Sequence, residues 1–447
     1  MARGVVSRLL NRPVRLVPAA FFGVILLGTL LLLVPAAHAD GHVRPLAAAF
    51  TAVSATCITG LTVVDTATYW TPYGQAVIML LTQMGGFGIM SIATLLAILV
   101  KGHIELSGTL AVQTETQAQT LGQARRIVVR IAGSMLIAES IAAVLLTLRF
   151  WIHGGMPFPR ALWHGAFYAC MAFTNAGFAL HSDSIMSFVL DPYLIVVMCL
   201  TVLAGSVGYP VFWELLKGWR RPHYWTVHTR LTVYGFAVLF TVMFFAFLVF
   251  EWQNPDTIGS MPVHQKLSAA MAGAVMPRSA GFNIVDYGLV QDETIITTIA
   301  MMFIGGGSAG TSGGIKVSTF FLLAFLLLAV SRGERDVTVA HRRIGDETLR
   351  QAVTVALLAV ACVVSGTMIL AMLTDLPLEA VLFDVNSAFG TVGLSMGITP
   401  ELPPGGQLTL MVLMFLGRVG TFTVASALAL RTATRHYHLP EERPIVG

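Results

Sequence analysis

Four short segments, each ending in a glycine, are the residues of this chain whose types and spacing could do chemistry. They are Ile58-Thr59-Gly60, Asn175-Ala176-Gly177, Ser279-Ala280-Gly281 and Thr391-Val392-Gly393. Glycine adopts backbone dihedrals that side chains disfavour, so carbonyl oxygens beside it can turn toward a common axis. A ring of carbonyl oxygens replaces the hydration shell of a monovalent cation without burying a fixed charge. The four segments therefore predict a cation-binding ring built from backbone.

A second set of glycines follows the first at a nearly constant distance. The first set is separated by 117, 104 and 112 residues, and a Gly-x-x-Gly pair begins 25, 28, 26 and 24 residues after its members. These pairs are Gly85/Gly88, Gly205/Gly208, Gly307/Gly310 and Gly417/Gly420. Helix packing alone explains one such pair, whereas four in register indicate an internal repeat. Each repeat is predicted to contain a membrane span, a short half-helix, a glycine turn and a second span.

The composition predicts that these repeats lie in a membrane. The chain has 447 residues, of which 55% are hydrophobic and 11% are charged, against about 25% charged in soluble domains. Its mean hydropathy is +0.76. A chain this hydrophobic is not a disordered protein. So few charged residues cannot cover a water-facing surface, which argues against a soluble enzyme. We therefore expect an integral membrane protein.

Eight apolar stretches are long enough to span a bilayer, which takes about 20 helical residues. They lie near Leu16–Ala37, Ala76–Val100, Ile131–Leu148, Tyr193–Phe212, Leu231–Phe250, Ile295–Val330, Thr354–Leu373 and Leu408–Leu430. The predicted fold is an all-α integral membrane protein with four helix–pore half-helix–helix repeats around one central pore. The repeats are predicted at residues 1–105, 106–225, 226–345 and 346–447, the last with a cytoplasmic tail.

The distribution of charge predicts the orientation of these spans. Of the 27 lysines and arginines, 20 fall on one side of an eight-span arrangement. The positive-inside rule then places both termini in the cytoplasm. The first span also resembles a secretory signal ending at Ala37-His38-Ala39. Its apolar run is longer than the roughly 7–15 residues of a signal and the repeat requires it, so a span is favoured.

Other kinds of site find little support in the sequence. The cysteines are scattered singly, without CxxC spacing or a Cys/His cluster, which argues against disulfides and structural zinc. No Ser/His/Asp or paired-carboxylate arrangement stands out, so we predict no enzymatic activity. The net charge of +4 comes from loops between spans rather than from one patch, so no nucleic-acid partner is expected.

The repeats resemble those of the superfamily of K⁺ transporters that comprises the Ktr, Trk and HKT proteins. The resemblance runs from about Leu16 to the C-terminus and is most specific at Ser54–Asp65, Arg278–Asn283 and Gly305–Thr319. It is closest to the ion-translocating membrane subunits of Ktr systems. Trk-type members usually carry two additional N-terminal helices before the segment that corresponds to span one here. At the other end, residues 440–447 are similar to the short C-terminal tail of Ktr membrane subunits. The resemblance implies K⁺ uptake across the bacterial cytoplasmic membrane.

The same resemblance assigns the four glycine segments to a selectivity filter. Plant-type relatives that prefer Na⁺ replace the first glycine with serine, so Gly60 favours K⁺ as the transported ion. Two alternatives within the superfamily remain, a Trk-type subunit and a less selective Na⁺/K⁺ transporter. A secondary transporter with alternating access is disfavoured, since it would need coupling carboxylates at the midplane. Within the predicted spans Glu139 is the one acid.

The glycine-rich run in the sixth span is implied by the resemblance to be an intramembrane gate under the filter. The gate residues are Gly305, Gly306, Gly307, Ser308, Gly310, Gly313, Gly314, Lys316 and Arg418. A nucleotide-binding P-loop is disfavoured, because Ile315 intervenes before the lysine and no strand precedes the run. For Arg418 and Lys316 a structural ion pair is the alternative, with Glu139 as the partner of Arg418. Arg278 is expected to pair with an outer carboxylate.

The resemblance also implies partners. We expect a homodimer with one pore per subunit, embedded in membrane lipid. A cytoplasmic ring of KtrA-type subunits would carry the nucleotide site, docking on the basic loops Lys217–Arg230 and Arg332–Arg350. Na⁺ often stimulates such transporters, and no organic cofactor is expected on this chain.

Overall fold

The computed structural model describes residues 13–106, 116–334 and 336–420, and these are mostly helical. The helices are α1 (Pro13–Leu32), α2 (Pro45–Cys57), α3 (Pro72–Leu106), α4 (Thr116–Ile152), α5 (Phe158–Thr174), α6 (Pro192–Ser206), α7 (Tyr209–Gly218), α8 (Val227–Glu251), α9 (Val263–Val275), α10 (Asp292–Phe303), α11 (Val317–Ser331), α12 (Asp346–Leu373), α13 (Leu378–Gly390) and α14 (Pro404–Phe415). Shorter helical elements are Pro35–Ala37, Thr66–Tyr69, Met186–Leu190, Pro222–Tyr224, Thr399–Glu401 and the π-helical Leu416–Gly420. An antiparallel hairpin pairs β1 (Thr338–Val339) with β2 (Arg342–Arg343).

One order of helices occurs four times in the described ranges. An outer helix (α1, α4, α8 or α12) comes first and has 20 to 37 residues. A pore helix of 13 to 17 residues follows (α2, α5, α9 or α13). A loop then leads to an inner helix, which is α3, the pair α6–α7, the pair α10–α11, or α14. This element order is consistent with the repeats that the glycine spacing predicts, and the bounds of the repeats stay a prediction.

The pore helices form the core of the molecule. Ten of the 13 residues of α2 are buried, among them Ser54 and Thr56, and α13 buries Asp384 and Asn386. Ser54, Asp384 and Asn386 find hydrogen-bond partners inside the protein, as when Asn386 Nδ2 donates to Ile299 O at 2.7 Å. The pore helices are too short to cross a bilayer. They are enclosed by the outer and inner helices instead.

The outer helix α8 exposes an apolar stripe along one face. The stripe is formed by Tyr234, Val238, Val242, Phe245 and Val249, each 50–69% exposed. Their spacing of three or four residues places them on one side of the helix. An apolar face left open in a protein of this composition is the face expected to contact lipid. We call these residues the lipid-facing stripe.

Inner helices are interrupted in three of the repeats. The axes of α6 and α7 differ by 106° across Val207 and Gly208, a break that our prediction of a continuous span over 193–212 missed. Gly208 has φ +91°, and a methyl group there would overlap the carbonyl oxygen of Ser308. Between α10 and α11 the chain leaves the helix over residues 304–316. In the last repeat α14 passes into the π-helical turn Leu416–Gly420.

Length and composition mark three described helical segments as membrane spans on their own. These are Arg126–Ile152, Val227–Glu251 and Asp346–Leu373, and the bent pair α6–α7 qualifies as a fourth if it is taken as one span. The shorter apolar helices and the broken inner helices fall below this threshold. The count of eight spans therefore stays a prediction.

Candidate functional site: a glycine ring and the loop beneath it

The four glycines predicted to build the ring lie against one another. A methyl group placed on Gly60 would lie 3.0 Å from Gly177 Cα, and one on Gly177 would lie 2.8 Å from Gly281 Cα. A methyl group on Gly281 would lie 3.1 Å from Gly393 Cα, and one on Gly393 would overlap the carbonyl oxygen of Thr59. These contacts run through the four repeats and return to the first. The segments thus form a closed ring into which a side chain at any of the glycines would intrude.

The backbone of each segment visits the left-handed region twice. The glycines Gly60, Gly177, Gly281 and Gly393 have φ between +68° and +100°. The residues two positions earlier, Ile58, Asn175, Ser279 and Thr391, have φ between +47° and +79°. Alternation of left-handed and ordinary residues turns successive carbonyls toward the same side of the chain. For a residue other than glycine, this conformation costs about 1–2 kcal/mol, so the surrounding structure must enforce it.

Serines of two pore helices hold the backbone of the glycine ring. Gly60 N donates to Ser54 Oγ at 3.0 Å, and Ser54 Oγ donates to Leu61 O at 2.8 Å. In the fourth repeat Gly393 N donates to Ser387 Oγ at the same 3.0 Å. Both serines lie six residues before their glycine. Sequence reasoning missed this support, although the matching spacing of the two serines could have revealed it.

The other two repeats use different side chains for the same purpose. Ser279 Oγ donates to Thr391 O at 2.8 Å and so links the third segment to the fourth. The side-chain amide of Asn175 lies 2.7 Å from Ser206 Oγ and 3.0 Å from Thr311 Oγ1. Thr311 belongs to the interrupted sixth span. The second segment is therefore tied to the loop below the ring.

A polar cavity of about 340 Å³ lies on one side of the ring. All four filter glycines line it, together with Asp65, His181 and Ser182. Asp65 accepts a hydrogen bond from Ser182 Oγ at 2.6 Å. The carboxylate contributes negative charge at the entrance of the ring, which concentrates cations there.

His181 connects this cavity to the second pore helix. Its Nδ1 lies 2.6 Å from the hydroxyl of Tyr168, which also accepts a hydrogen bond from Leu180 N at 3.1 Å. Burial lowers the pKa of His181 from its usual value of 6.5, although Asp183 opposes the shift. The shift favours the neutral imidazole, which adds no positive charge to the entrance.

The loop of residues 304–316 lies on the opposite side of the ring. Its two ends pair with each other, since Gly305 N donates to Ile315 O at 2.8 Å and Val317 N donates to Gly306 O at 3.0 Å. Between these ends the chain turns toward the pore helices. Gly313 N donates to Ser279 Oγ at 3.1 Å, and a methyl group on Gly313 would overlap the Thr391 hydroxyl. The loop therefore packs directly against the third and fourth segments of the ring.

The loop is also bonded to the broken inner helix of the second repeat. Gly307 N donates to Ser206 O at 2.9 Å, and Thr311 N donates to Gly205 O at 3.1 Å. Thr311 Oγ1 donates to Phe173 O at 3.1 Å, at the end of α5. The bonds to Ser206 O and Gly205 O use carbonyls at the C-terminal end of α6, which have no partner within that helix. The break between α6 and α7 and the loop between α10 and α11 therefore support each other.

Lys316 and Arg418 bond to neighbouring carbonyls in the middle of the loop. Lys316 Nζ donates to Ser312 O at 2.5 Å, and Arg418 Nη1 donates to Thr311 O. Within the described residues Arg418 makes no salt bridge, so the ion pair with Glu139 was a wrong alternative. Glu139 instead accepts a hydrogen bond from Gln83 Nε2 at 2.7 Å. Among the described residues, neither of these two side chains forms a salt bridge with a carboxylate.

Arg278 does not pair with an outer carboxylate, which corrects our expectation. Its side chain is buried, and its Cζ lies 4.2 Å from the centre of the Phe236 ring. Nε and Nη1 have no hydrogen-bond partner in the part of the chain that the structure describes. A cation over an aromatic face is attracted by the ring quadrupole. The sequence offered no signal for this contact with α8.

Three of the four Gly-x-x-Gly pairs place their first glycine against a pore helix. Methyl groups on Gly85, Gly205 and Gly417 would overlap the carbonyl oxygens of Thr56, Phe173 and Phe389, respectively. These carbonyls lie at the ends of α2, α5 and α13. The third pair differs, because Gly307 lies in the loop and contacts Val207 O instead. The pairs are therefore almost equally spaced in the sequence, but the third pair makes a different contact from the other three.

Comparison with known proteins agrees with this arrangement. The family model named TrkH and described as a cation transport protein matches residues 11–433. The chain belongs to this family. Its assignment to the Ktr/Trk superfamily is therefore confirmed.

Two curated members of the family match nearly the whole chain. The Ktr system potassium uptake protein B of Bacillus subtilis is 35% identical over 438 residues, which cover 97% of each chain. The potassium/sodium uptake protein NtpJ of Enterococcus hirae is 32% identical over 442 residues, again 97% of each. These relatives are membrane transport proteins.

A solved structure shows the fold of the family. The potassium transporter TrkH from Vibrio parahaemolyticus superimposes with a TM-score of 0.67 over 93% of this chain and 85% of its own, at 18% identity. The predicted fold class, an all-α integral membrane protein, is confirmed.

Proposed function

We propose that this protein takes up K⁺ through a channel-like pore whose selectivity filter is the glycine ring. The observation that carries the proposal is the closed contact of Gly60, Gly177, Gly281 and Gly393. The names of the relatives, potassium uptake protein B and potassium/sodium uptake protein, support the same ion class. The filter comprises residues 58–60, 175–177, 279–281 and 391–393.

Backbone chemistry explains why such a ring suits K⁺. Carbonyl oxygens coordinate a dehydrated monovalent cation, and the ends of four pore helices point their negative dipoles toward it. Each helix end contributes roughly half a negative charge. The inward pull on the ion is about 2.3 kcal/mol for each 100 mV of membrane potential. Uptake therefore needs no chemical step on this chain.

The loop at 305–314 is proposed as the gate of this pore. Its hydrogen bonds to Ser206, Gly205 and Ser279, which hold backbone beside the glycine ring, support this role. Lys316 and Arg418 add positive charge there, which repels K⁺. Opening requires the bonds of the loop to α6 and to these two cations to break. The gate therefore couples the filter to the inner helices.

The wider assembly is part of the proposal. We expect a homodimer in the bacterial cytoplasmic membrane with both termini in the cytoplasm, and four repeats at 1–105, 106–225, 226–345 and 346–447. Relatives named for a Ktr system support a KtrA-type nucleotide-binding ring on the cytoplasmic face. The name of the Enterococcus relative supports Na⁺ as a second transported or stimulating ion.

Growth of a K⁺-uptake-deficient bacterium at low K⁺ tests the function. The chain is expressed with and without a KtrA-type subunit, and membrane expression is checked by immunoblot. The expected result is that the chain restores growth at low K⁺ and that the cells take up K⁺ in preference to Na⁺. A well-expressed chain that gives no K⁺ uptake even with the partner would overturn the proposal. Equal uptake of both ions would instead identify a Na⁺/K⁺ transporter.

A further inference from the structure

An apolar groove with a basic end lies between α8 and α11, away from the pore. Its cavity measures about 480 Å³. The apolar walls include Leu231, Val238, Phe321 and Phe325, and one end is lined by His223 and Arg230. Neither the filter nor the loop at 305–314 contributes to it. The groove therefore needs an explanation of its own.

Close packing of the two helices forms the floor of the groove. A methyl group on Gly235 would lie 2.5 Å from Val317 Cγ1 and 2.7 Å from the Phe321 ring. The outer wall is formed by Tyr234 and Val238, which belong to the lipid-facing stripe. The groove is therefore open to the hydrocarbon of the membrane along its length.

The basic end of the groove lies at the level expected for lipid headgroups. Arg230 Nη2 donates to His223 O at 2.7 Å, and in the described ranges Arg230 makes no salt bridge. On the loop before α8, Trp219 and Tyr224 are 66% and 73% exposed. Exposed Trp and Tyr are typical of the membrane–water boundary. An uncompensated guanidinium thus faces the headgroup layer.

We propose that this groove binds an anionic phospholipid of the leaflet on the side of the basic loops. Arg230 and His223 contact the headgroup phosphate, and the acyl chain lies along Leu231, Val238 and Phe321. Arg230 and Val238 are eight residues apart on α8, about 12 Å along the axis, which matches the step from a headgroup to the upper acyl chain. In the proposed orientation this is the cytoplasmic leaflet. The lipid site requires neither the K⁺ selectivity nor the gate.

Native mass spectrometry of the purified full chain tests the site. The probes are phosphatidylglycerol, which is anionic, and phosphatidylcholine, which has no net charge, with the same acyl chains so that only the headgroup differs. We expect phosphatidylglycerol to bind about fivefold more tightly, the size of one basic contact near the membrane surface. Arg230→Gln should remove this preference. Val238→Trp, which fills the groove without changing charge, should weaken binding of both lipids.

Arg350→Gln is the matched control, because Arg350 is an exposed residue of α12 that does not line the groove. The control should keep the native preference. Equal loss of preference in Arg350→Gln and Arg230→Gln would show diffuse surface charge and overturn the site. The site would also be wrong if Val238→Trp changed the fraction of dimers and left lipid binding intact, since the groove would then be an interface between copies.

Discussion

At the scale of single residues, the glycines of this chain are not equivalent even where their spacing is. Gly85 and Gly88 belong to one Gly-x-x-Gly pair on α3. Gly85 lies against the carbonyl of Thr56, whereas no described atom lies within 4 Å of a methyl group on Gly88. The pair therefore offers a matched test of packing between an inner helix and a pore helix.

Gly85→Ala is predicted to destabilise the protein and reduce K⁺ uptake. The added methyl group must displace backbone at the end of α2, and overpacking of this kind typically costs about 1–3 kcal/mol. Gly88→Ala should retain uptake and raise stability slightly, since alanine favours a helix by up to about 1 kcal/mol. Thermal unfolding in detergent and ⁸⁶Rb⁺ uptake measure both effects. Equal behaviour of the two variants would refute this packing role.

Arg418→Gln and Lys316→Gln are predicted to raise uptake in the absence of the nucleotide-binding partner. Each change removes a positive charge under the filter and a strong hydrogen bond to the loop. A hydrogen bond to a charged group typically contributes about 1.5–3 kcal/mol. Its loss should favour the displaced loop, so we expect uptake to rise more than tenfold. Arg350→Gln serves as the charge control. A fall in uptake with unchanged expression would mean that the two cations hold the pore open rather than closed.

At the scale of elements, the loop and the broken helix α6–α7 depend on each other. Thr311 is the residue that joins them, because its N bonds to Gly205 O and its Oγ1 bonds to Phe173 O. Its side chain also lies 3.0 Å from the amide of Asn175 in the filter. The element that interrupts the sixth span is thus anchored to the second repeat.

Thr311→Val is predicted to increase partner-independent uptake about fivefold. The substitution keeps the shape of the side chain but removes a hydrogen bond worth about 1 kcal/mol, which favours the displaced loop. Thr297→Val is the control, since Thr297 Oγ1 bonds to Glu293 O on the exposed face of α10. Flux into liposomes that contain the chain alone measures the change. The same increase in both variants would contradict a specific role for the loop.

The sequence predicts the repeated elements but not the contacts between them. Regular glycine spacing identified residues 58–60, 175–177, 279–281 and 391–393, because each repeat needs the same backbone turn. The sharp bend at Gly208 was missed, since the close approach of Ser308 O there comes from another repeat and leaves no local pattern in the sequence. Arg278 was misassigned for the same reason: its position over Phe236 depends on how α8 packs.

At the scale of the whole molecule, the polar cavity lies on one side of the glycine ring and the loop on the other, and we propose that all three lie along the path of the ion. The cavity contains Asp65 and His181, and the groups around His181 are Tyr168, His164, Asp183 and Arg160. A charge that appears in the cavity acts on every ion that enters the ring. The pH outside the membrane should therefore affect uptake.

Uptake is predicted to be constant at neutral pH and to fall in acid, below about pH 6.5. Burial lowers the pKa of His181 from its usual 6.5, so the imidazole gains its charge only at lower pH. Once charged, it repels K⁺ beside Gly177 and disturbs the bond to Tyr168. His181→Gln should flatten the profile in this range. An identical acid fall in His181→Gln would assign the effect to another group.

The most direct test of the central claim is the K⁺/Na⁺ flux ratio of Gly60→Ser, compared with Gly88→Ser, in liposomes. Gly60 has φ +90°, and its Cβ position overlaps the carbonyl of Ala176, so serine must distort the ring. The account predicts that Gly60→Ser lowers the ratio at least about tenfold, a change of about 1.4 kcal/mol, while Gly88→Ser keeps the native value. A native ratio in Gly60→Ser would contradict a filter built from the four glycines.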